Sequence, residues 1–576
     1  MGISRLQAIF TTPVKQRLSA PAIFWFSLSL TFAAIYGYLS LRQVFGMEYI
    51  VQDDVRQHVF WMERFRHPEL FPNDLIANYF QSVAPTGYTT LYWLMSALGI
   101  DPIVASKVLP PVLGLITTAY CFGVSMQIFP VPFAGFVSAL LLNQCMWTKS
   151  DLASATPRAF VFPLFLAFAY YLLRSAIVPC LISIALIGLF YPQYIFIAAG
   201  VLVLRCFEIK NRRLQLVQDR STWTFNGAGL AIAFVVVAFY ALNHSSFGPT
   251  MSVAEAKTLP EFLPGGRAPF FHTNAWEFWV DGRGSGFLPS LMPVLVYFGL
   301  LLPGLLQFPQ ALPLRQQVTP KVHVLTQILL TSVFMFLAAH AVLFKLHLPS
   351  RYTGNSFRIV LSLAAGIAIV LLLDGLFQVA LRTSWGRGKQ QSIAIATTVL
   401  LVATLVLYPS FVPKFPNAQY IEGDEPDLYK FFAQQPIDTM IVSLAKEGDN
   451  LPTYSQRSIL TGEEYAIPYH AGYYRQFRQR TLEAIAAQYS PDLSQIQQFT
   501  QKYGVDFWLL DRKAFDLDYV QAHRWIKQYQ PAATDAVAHL QQGQAPILKQ
   551  RLAACTVFQQ EKLLVVQADC VVGAAS

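Results

Sequence analysis

Ile369-Val-Leu-Leu-Leu-Asp374-Gly-Leu-Phe377 lies inside an apolar run from residue 356 to 381, and a run of roughly 20 such residues is enough to cross a bilayer. Similar runs recur on both sides of it, near 21–41, 102–127, 131–147, 159–174, 176–190, 194–207, 225–243, 287–306, 323–346 and 392–410. Of the 576 residues, 54% are hydrophobic and 13% charged, where a soluble domain carries roughly 25% charged residues. These features exclude a water-soluble chain. They predict an α-helical polytopic membrane protein with about 11 transmembrane helices. The stretches 176–190 and 194–207 are short and flank Tyr191-Pro192-Gln193, which leaves a broken or re-entrant pair open. Asp374 stands just over two helical turns before Arg382, so it reads as the end of a span rather than part of an ion path.

The formal net charge of +9 does not point to nucleic acid. Residues 411–576 carry 15 Lys+Arg against 18 Asp+Glu, so the basic excess belongs to residues 1–410. It gathers in alternate loops: Arg5, Lys15 and Arg17; Arg205, Lys210, Arg212, Arg213 and Arg220; Arg315 and Lys321; Arg382, Arg387 and Lys389. Positive charge in every second loop marks the cytoplasmic side. An odd number of spans then puts the tail outside, with loops 42–101, 148–158, 244–286 and 347–355. The basic N-terminus is followed by an apolar stretch and no A-x-A site, so it reads as an uncleaved first span. The expected location is multi-pass in a bacterial inner or plasma membrane, with the N-terminus cytoplasmic.

Residues 411–576 read as a small α/β extracytoplasmic domain. Helical patterns cover Asp427–Gln434, Tyr473–Gln488 and Leu493–Tyr503, and strand patterns cover Thr439–Ser443 and Val505–Leu510. No G-x-G-x-x-G, Walker A, H-E-x-x-H or paired C-x-x-C occurs. Tyr469-His-Ala-Gly-Tyr-Tyr-Arg475 reads equally as a carbohydrate or headgroup site and as a packed helix start. Cys121, Cys145, Cys180 and Cys206 fall in or beside spans as small apolar fillers. Cys555 and Cys570 flank a hairpin pattern, which leaves both a disulfide and two unpaired cysteines open.

The chemistry concentrates after the first span, in Glu48-Tyr-Ile-Val-Gln-Asp53-Asp54-Val-Arg56-Gln-His58-Val-Phe-Trp61-Met-Glu-Arg64. Carboxylates just outside a span meet the headgroup of an amphiphilic substrate, where a base is useful. Asp53 is placed to cap a helix that buries Val55, Val59, Phe60 and Met62, with His58 one turn from Asp54. Two aspartates that only start a helix account for the pattern equally well. Lys149-Ser-Asp151-Leu-Ala-Ser-Ala-Thr-Pro157-Arg158 and His347-Leu-Pro-Ser-Arg351-Tyr352 place arginines at the mouths of spans, suited to a phosphate. Loop 244–286 adds Glu255, Lys257, Glu261, Arg267, His272, Glu277, Asp281 and Arg283 among aromatic residues and glycines. It suits either a substrate cover or an interfacial belt.

This layout resembles the GT-C superfamily of polytopic membrane glycosyltransferases, which includes protein O-mannosyltransferases, aminoarabinose transferases and oligosaccharyltransferases. The resemblance covers roughly residues 20–410. It rests on Asp53-Asp54 after the first span, Thr156-Pro-Arg-Ala-Phe160 entering a span and Pro349-Ser-Arg351-Tyr352 before a late span. It implies transfer, with inversion, of a sugar from a polyprenyl-phosphate donor to a glycan, lipid or protein acceptor on the extracytoplasmic face. Asp53 or Asp54 would be the general base. Arg351 and Arg158 would neutralise the leaving phosphate, and Arg56, His58, Tyr352 and His272 complete the candidate substrate-binding set. Some members use a divalent metal, but no ligand set beyond these carboxylates can be read here, so the cofactor stays open. The competing reading is a lipid-linked-sugar or polysaccharide transporter or assembly factor without transfer activity.

Overall fold

The computed structural model describes residues 2–16, 18–210, 213–242, 245–308, 312–382 and 387–573. Arg17, Arg212 and Arg387 of the basic loops are not all covered: the first two lie outside the described residues. Among the described residues six helices are long and apolar enough to cross a membrane: Ala20–Val44, Pro102–Ile128, Arg220–Leu242, Pro320–Ala341, Ser350–Arg382 and Gly388–Phe411. The chain is an integral membrane protein. The other expected stretches are helical but shorter, at Pro132–Trp147, Pro157–Leu173, Ile177–Phe190, Pro192–Leu204 and Val294–Leu305. A helix rises about 1.5 Å per residue, so none of these reaches the roughly 30 Å of a hydrocarbon core unaided. Helix Ile177–Phe190 ends at Tyr191, whose ψ of 81° leaves the helical region, and a 3₁₀ turn at Pro192–Tyr194 precedes Ile195–Leu204.

The 33-residue helix Ser350–Arg382 is the central post, buried at nearly every position from Asn355 to Leu371. It packs against Pro132–Trp147, which is buried at all of its residues. Gly366 permits the close approach: a Cβ there would stand 2.1 Å from Ser138 Oγ and 2.7 Å from the Ala134 carbonyl. At the far end of the post, Asp374 is buried and accepts from Gln7 Nε2 at 3.2 Å, on the short N-terminal helix Ile3–Phe10.

After the first long helix, strand Ile50–Gln52 pairs antiparallel with Tyr420–Glu422, joining the loop that follows this helix to the start of the tail. Asp53 does not cap a helix as its position suggests. The helix is only Val55–His58, Asp54 precedes it without a side-chain cap bond, and a 3₁₀ segment Phe60–Phe65 follows. The reason is electrostatic: both carboxylates are taken by guanidinium groups, a stronger pairing than a backbone cap. Val55, Val59, Phe60 and Met62 are all buried.

The tail folds around a five-stranded sheet. Parallel strands Ser458–Ile459, Met440–Ser443 and Phe507–Asp511 are followed by antiparallel Leu563–Gln567 and Thr556–Gln559. Helices Pro426–Ala433, Ala471–Gln488 and Leu493–Tyr503 fall where the apolar spacing places them. Cys555 and Cys570 form a disulfide beside the terminal hairpin.

Candidate active site

Asp54 stands at the inner end of a chain of charges formed by three separate segments. Arg158 follows Pro157 in the 3₁₀ turn that opens a buried helix, so its side chain is fixed at the helix mouth. It pairs directly with Asp54 and donates to Asp151 Oδ1 at 3.0 Å. The other oxygen of Asp151 accepts from Arg358 Nη1 at 2.6 Å. Arg351 stands seven residues before Arg358, two turns along the same helix face. Among the described residues Arg351 takes no carboxylate partner, and its Nε is enclosed without a hydrogen bond. A guanidinium in that state is costly unless an anion completes it.

Burial opposes the charge of Asp54, but Arg158, His58 and Arg351 together outweigh it and hold the carboxyl below its ordinary value. Asp151 is likewise buried, and Arg158 and Arg358 keep it ionised well below the carboxylate range. Burial pushes the His58 imidazole down to about 4, with Arg158 and Arg351 adding to the fall against Asp54. His347 falls to about 3, again mainly through burial and then Arg351. The site at neutral pH therefore holds ionised carboxylates, neutral imidazoles and fixed guanidinium groups.

Three connected spaces meet here. The first, about 300 Å³, is lined by Asp54 and four arginines, Arg158, Arg267, Arg283 and Arg351. The second, about 670 Å³, shares Asp54 and those arginines and is otherwise polar, with Asp53, Asp151, Ser350 and Asn355. The third, about 800 Å³, meets the first at Gln193, His347, Tyr469 and His470 and runs along Ile195, Phe196, Val236, Val237 and Leu346. It is an apolar groove leading to a cationic chamber.

The structure brings Asp54, His58, Arg158 and Arg351 together in the first chamber, and Asp53 onto the second. Tyr352 lines the apolar groove, its hydroxyl donating to the Leu346 carbonyl at 2.8 Å. Arg56 and His272 are placed elsewhere. Arg56 is buried against the tail, donating to Asp53, to Glu464 Oε2 at 3.0 Å and to Asn450 Oδ1 at 3.1 Å. His272 lies within its own loop, 2.9 Å from Glu277 Oε1. Arg358 escaped the sequence reading: it follows the mostly polar residues 350–356, and only its spacing from Arg351 could have marked it. The chamber also gathers Tyr191, Gln193, Tyr469 and His470, so the helix break and the aromatic segment of the tail serve one cavity.

Among the described residues no three His, Cys, Asp or Glu side chains converge into a ligand set. Asp53, Asp54 and Asp151 are each paired with arginine.

The fold is similar to that of the Archaeoglobus fulgidus oligosaccharyltransferase. In the apo form of that protein the match has a TM-score of 0.53 at 14% identity, covering 88% of this chain and 72% of the other. The chain shares the fold of that protein. The same oligosaccharyltransferase tethered to an acceptor peptide matches with a TM-score of 0.51 at 12% identity, over the same shares of each chain. ArnT from Cupriavidus metallidurans in the apo state aligns over 97% of this chain and all of its own, with a TM-score of 0.45 and 14% identity. No family model matches the chain. No curated protein matches it by sequence.

Proposed function

We propose that the chain is a membrane glycosyltransferase that moves a sugar from a polyprenyl-phosphate-linked donor to an acceptor on the extracytoplasmic face. The observation that carries this reading is Arg351, enclosed at a helix mouth with no carboxylate partner and facing a chamber where four guanidinium groups meet one carboxylate. The excess cation calls for an anionic ligand, and the adjoining apolar groove suits that ligand's lipid chain. Donor phosphate at Arg351 and Arg158 places the sugar's anomeric carbon toward Asp54. The acceptor hydroxyl or amine attacks that carbon, and its proton passes to Asp54. The carbon–oxygen bond to phosphate breaks, with the electron pair leaving on the phosphate, so configuration inverts. Fixed arginines stabilise the charge that develops on the leaving group. In this reading all eleven helical stretches cross the membrane or line its core, and the tail lies outside. The disulfide at Cys555 and Cys570 fits an oxidising compartment.

The test is transfer of radiolabelled sugar from a panel of polyprenyl-phosphate sugars in reconstituted vesicles, comparing wild type with the Asp53→Asn/Asp54→Asn variant. Turnover by wild type and its loss in the variant is expected. Donor binding without any wild-type turnover would overturn the transfer reading.

A further inference from the structure

Glu464 belongs to the tail and does not line the chambers, yet it grips residues that do. It lies in a 3₁₀ turn, Glu463–Tyr465, and is 7% exposed. Its Oε1 pairs with Arg267 and accepts from Gln57 Nε2 at 2.5 Å, while its backbone carbonyl accepts from the same amide at 2.7 Å. Its Oε2 accepts from Arg56 Nη2 at 3.0 Å, and Arg56 in turn pairs with Asp53. Arg267 faces both chambers, and Gln57 faces the first. One buried residue of the tail thus touches both the loop before the second long helix and the later loop that carries Arg267.

The surrounding backbone repeats the same docking. Met251 N donates to the Tyr469 carbonyl at 2.9 Å, Ala471 N to Pro249 O at 2.9 Å and Gly472 N to Phe247 O at 3.0 Å. Arg524 Nε donates to the Gly265 carbonyl at 2.6 Å, two residues before Arg267. Gly265 has φ +94°, a conformation that side chains resist, and a Cβ on Gly266 would stand 2.3 Å from the Pro260 carbonyl. The segment that carries Arg267 is therefore built as a tight turn and held by the tail from two sides.

We propose, resting on the transfer reading above, that Glu464 is a positioning residue: it orients Arg267 and Gln57 in the chamber and, through Arg56 and Asp53, holds the turn that presents Asp54. The tail is then part of the catalytic cavity rather than a separate binding module. Glu464 also neutralises Arg267, which gives its loss a distinctive kinetic signature. Without the carboxylate, Arg267 gains free charge toward an anionic donor but loses its fixed direction. Turnover falls while donor KM holds or drops, whereas a merely structural defect would lower the folded yield and leave the constants of the folded fraction unchanged.

The experiment uses the full chain in vesicles, with kcat and KM measured for the polyprenyl-phosphate sugar that wild type turns over. Glu464→Gln should lower kcat about tenfold or more with KM no higher than wild type. The double variant Glu464→Gln/Arg267→Gln should lose less than the product of the two single effects, because both changes remove the Glu464–Arg267 contact. Glu464→Asp should recover part of the loss. Kinetic constants for Glu464→Gln within about twofold of wild type, or effects that multiply in the double variant, overturn the proposal and leave the transfer reading standing. Where Glu464→Gln does not fold, Arg524→Ala decides: it is exposed and grips the same turn. A fall of about threefold in kcat at constant KM supports the proposal, and an unchanged kcat overturns it. Absence of wild-type turnover on the whole panel overturns both readings together.

Discussion

Two adjacent aspartates face two different halves of the molecule. Asp54 turns toward the membrane helices, where Arg158 links it to Asp151 and Arg358. Asp53 turns toward the tail, where Arg56 links it to Glu464 and Arg267. Both clusters alternate carboxylate and guanidinium, but beside the first stands Arg351, which takes no carboxylate partner among the described residues. The second closes on itself. The difference separates a cluster that awaits an anionic ligand from one that locks two parts of the fold together.

The largest expected effect sharpens that contrast. Asp54→Asn should cut turnover by about 10²–10⁴-fold, the usual contribution of a general base, with donor affinity little changed. Equal losses for Asp53→Asn and Asp54→Asn, measured separately, would erase the distinction between the clusters. The pH–rate profile reads the same site. Because Asp54 is held below its ordinary value and His58 lies at about 4, transfer should stay flat through neutrality and fall only as pH drops below about 4. An acid limb near neutrality would move the base elsewhere.

Next in size is Arg351→Gln. Hydrogen bonds to charged groups contribute about 1.5–3 kcal/mol, so donor binding should weaken about ten- to a hundredfold by equilibrium titration with polyprenyl phosphate. Unchanged affinity would show that the open cation is not the anion site. Asp53→Asn should be milder, a loss in kcat below about tenfold, since its carboxylate is partly exposed and acts through Arg56.

The smallest effect tests the closed cluster alone. Asp449 lies beside it, and burial raises its carboxyl to about 7, with Glu464 adding to the rise and Arg56 opposing it. A folded value above the unfolded one of about 4 means that stability is full below the unfolded value and is lost as pH climbs toward 7. Asp449→Asn should therefore stabilise the chain by about 1 kcal/mol at pH 8 and by little at pH 4, as read from thermal unfolding at the two pH values. The same gain at both pH values would show that ionisation of Asp449 does not load this interface.

Most of the helices were legible because a lipid-facing or buried helix must be apolar along its length, a signal carried by composition alone. The tail's helices and strands were legible for a related reason, since half-buried elements repeat their apolar residues at 3.6 or 2 positions. The site was legible only in fragments. Asp54, Arg158 and Arg351 each sit beside a helix mouth, where a lone charge stands out from its apolar neighbours. Arg358 follows the mostly polar residues 350–356 and Glu464 lies within a polar run, so neither differs from its local background. Arg56 looked like a ligand for substrate because its neighbours are acidic, yet its partners Glu464 and Asn450 come from the tail. The expected cap at Asp53 failed for the same reason: an arginine three residues on competes for the carboxylate once the tail buries the pair.

The sequence by itself determined that the chain must enter a membrane, which stretches become helices and where isolated charges meet the bilayer surface, because these follow from local hydrophobicity and period. Only the tertiary structure decided that Asp54 and Asp53 point apart, that Arg351 takes no carboxylate partner among the described residues and that Glu464 of the tail pairs with Arg56 and Arg267. Those outcomes depend on charges separated by up to 408 positions along the chain meeting in one low-dielectric space. Pairing there is set by distance and burial, neither of which is a property of any single segment.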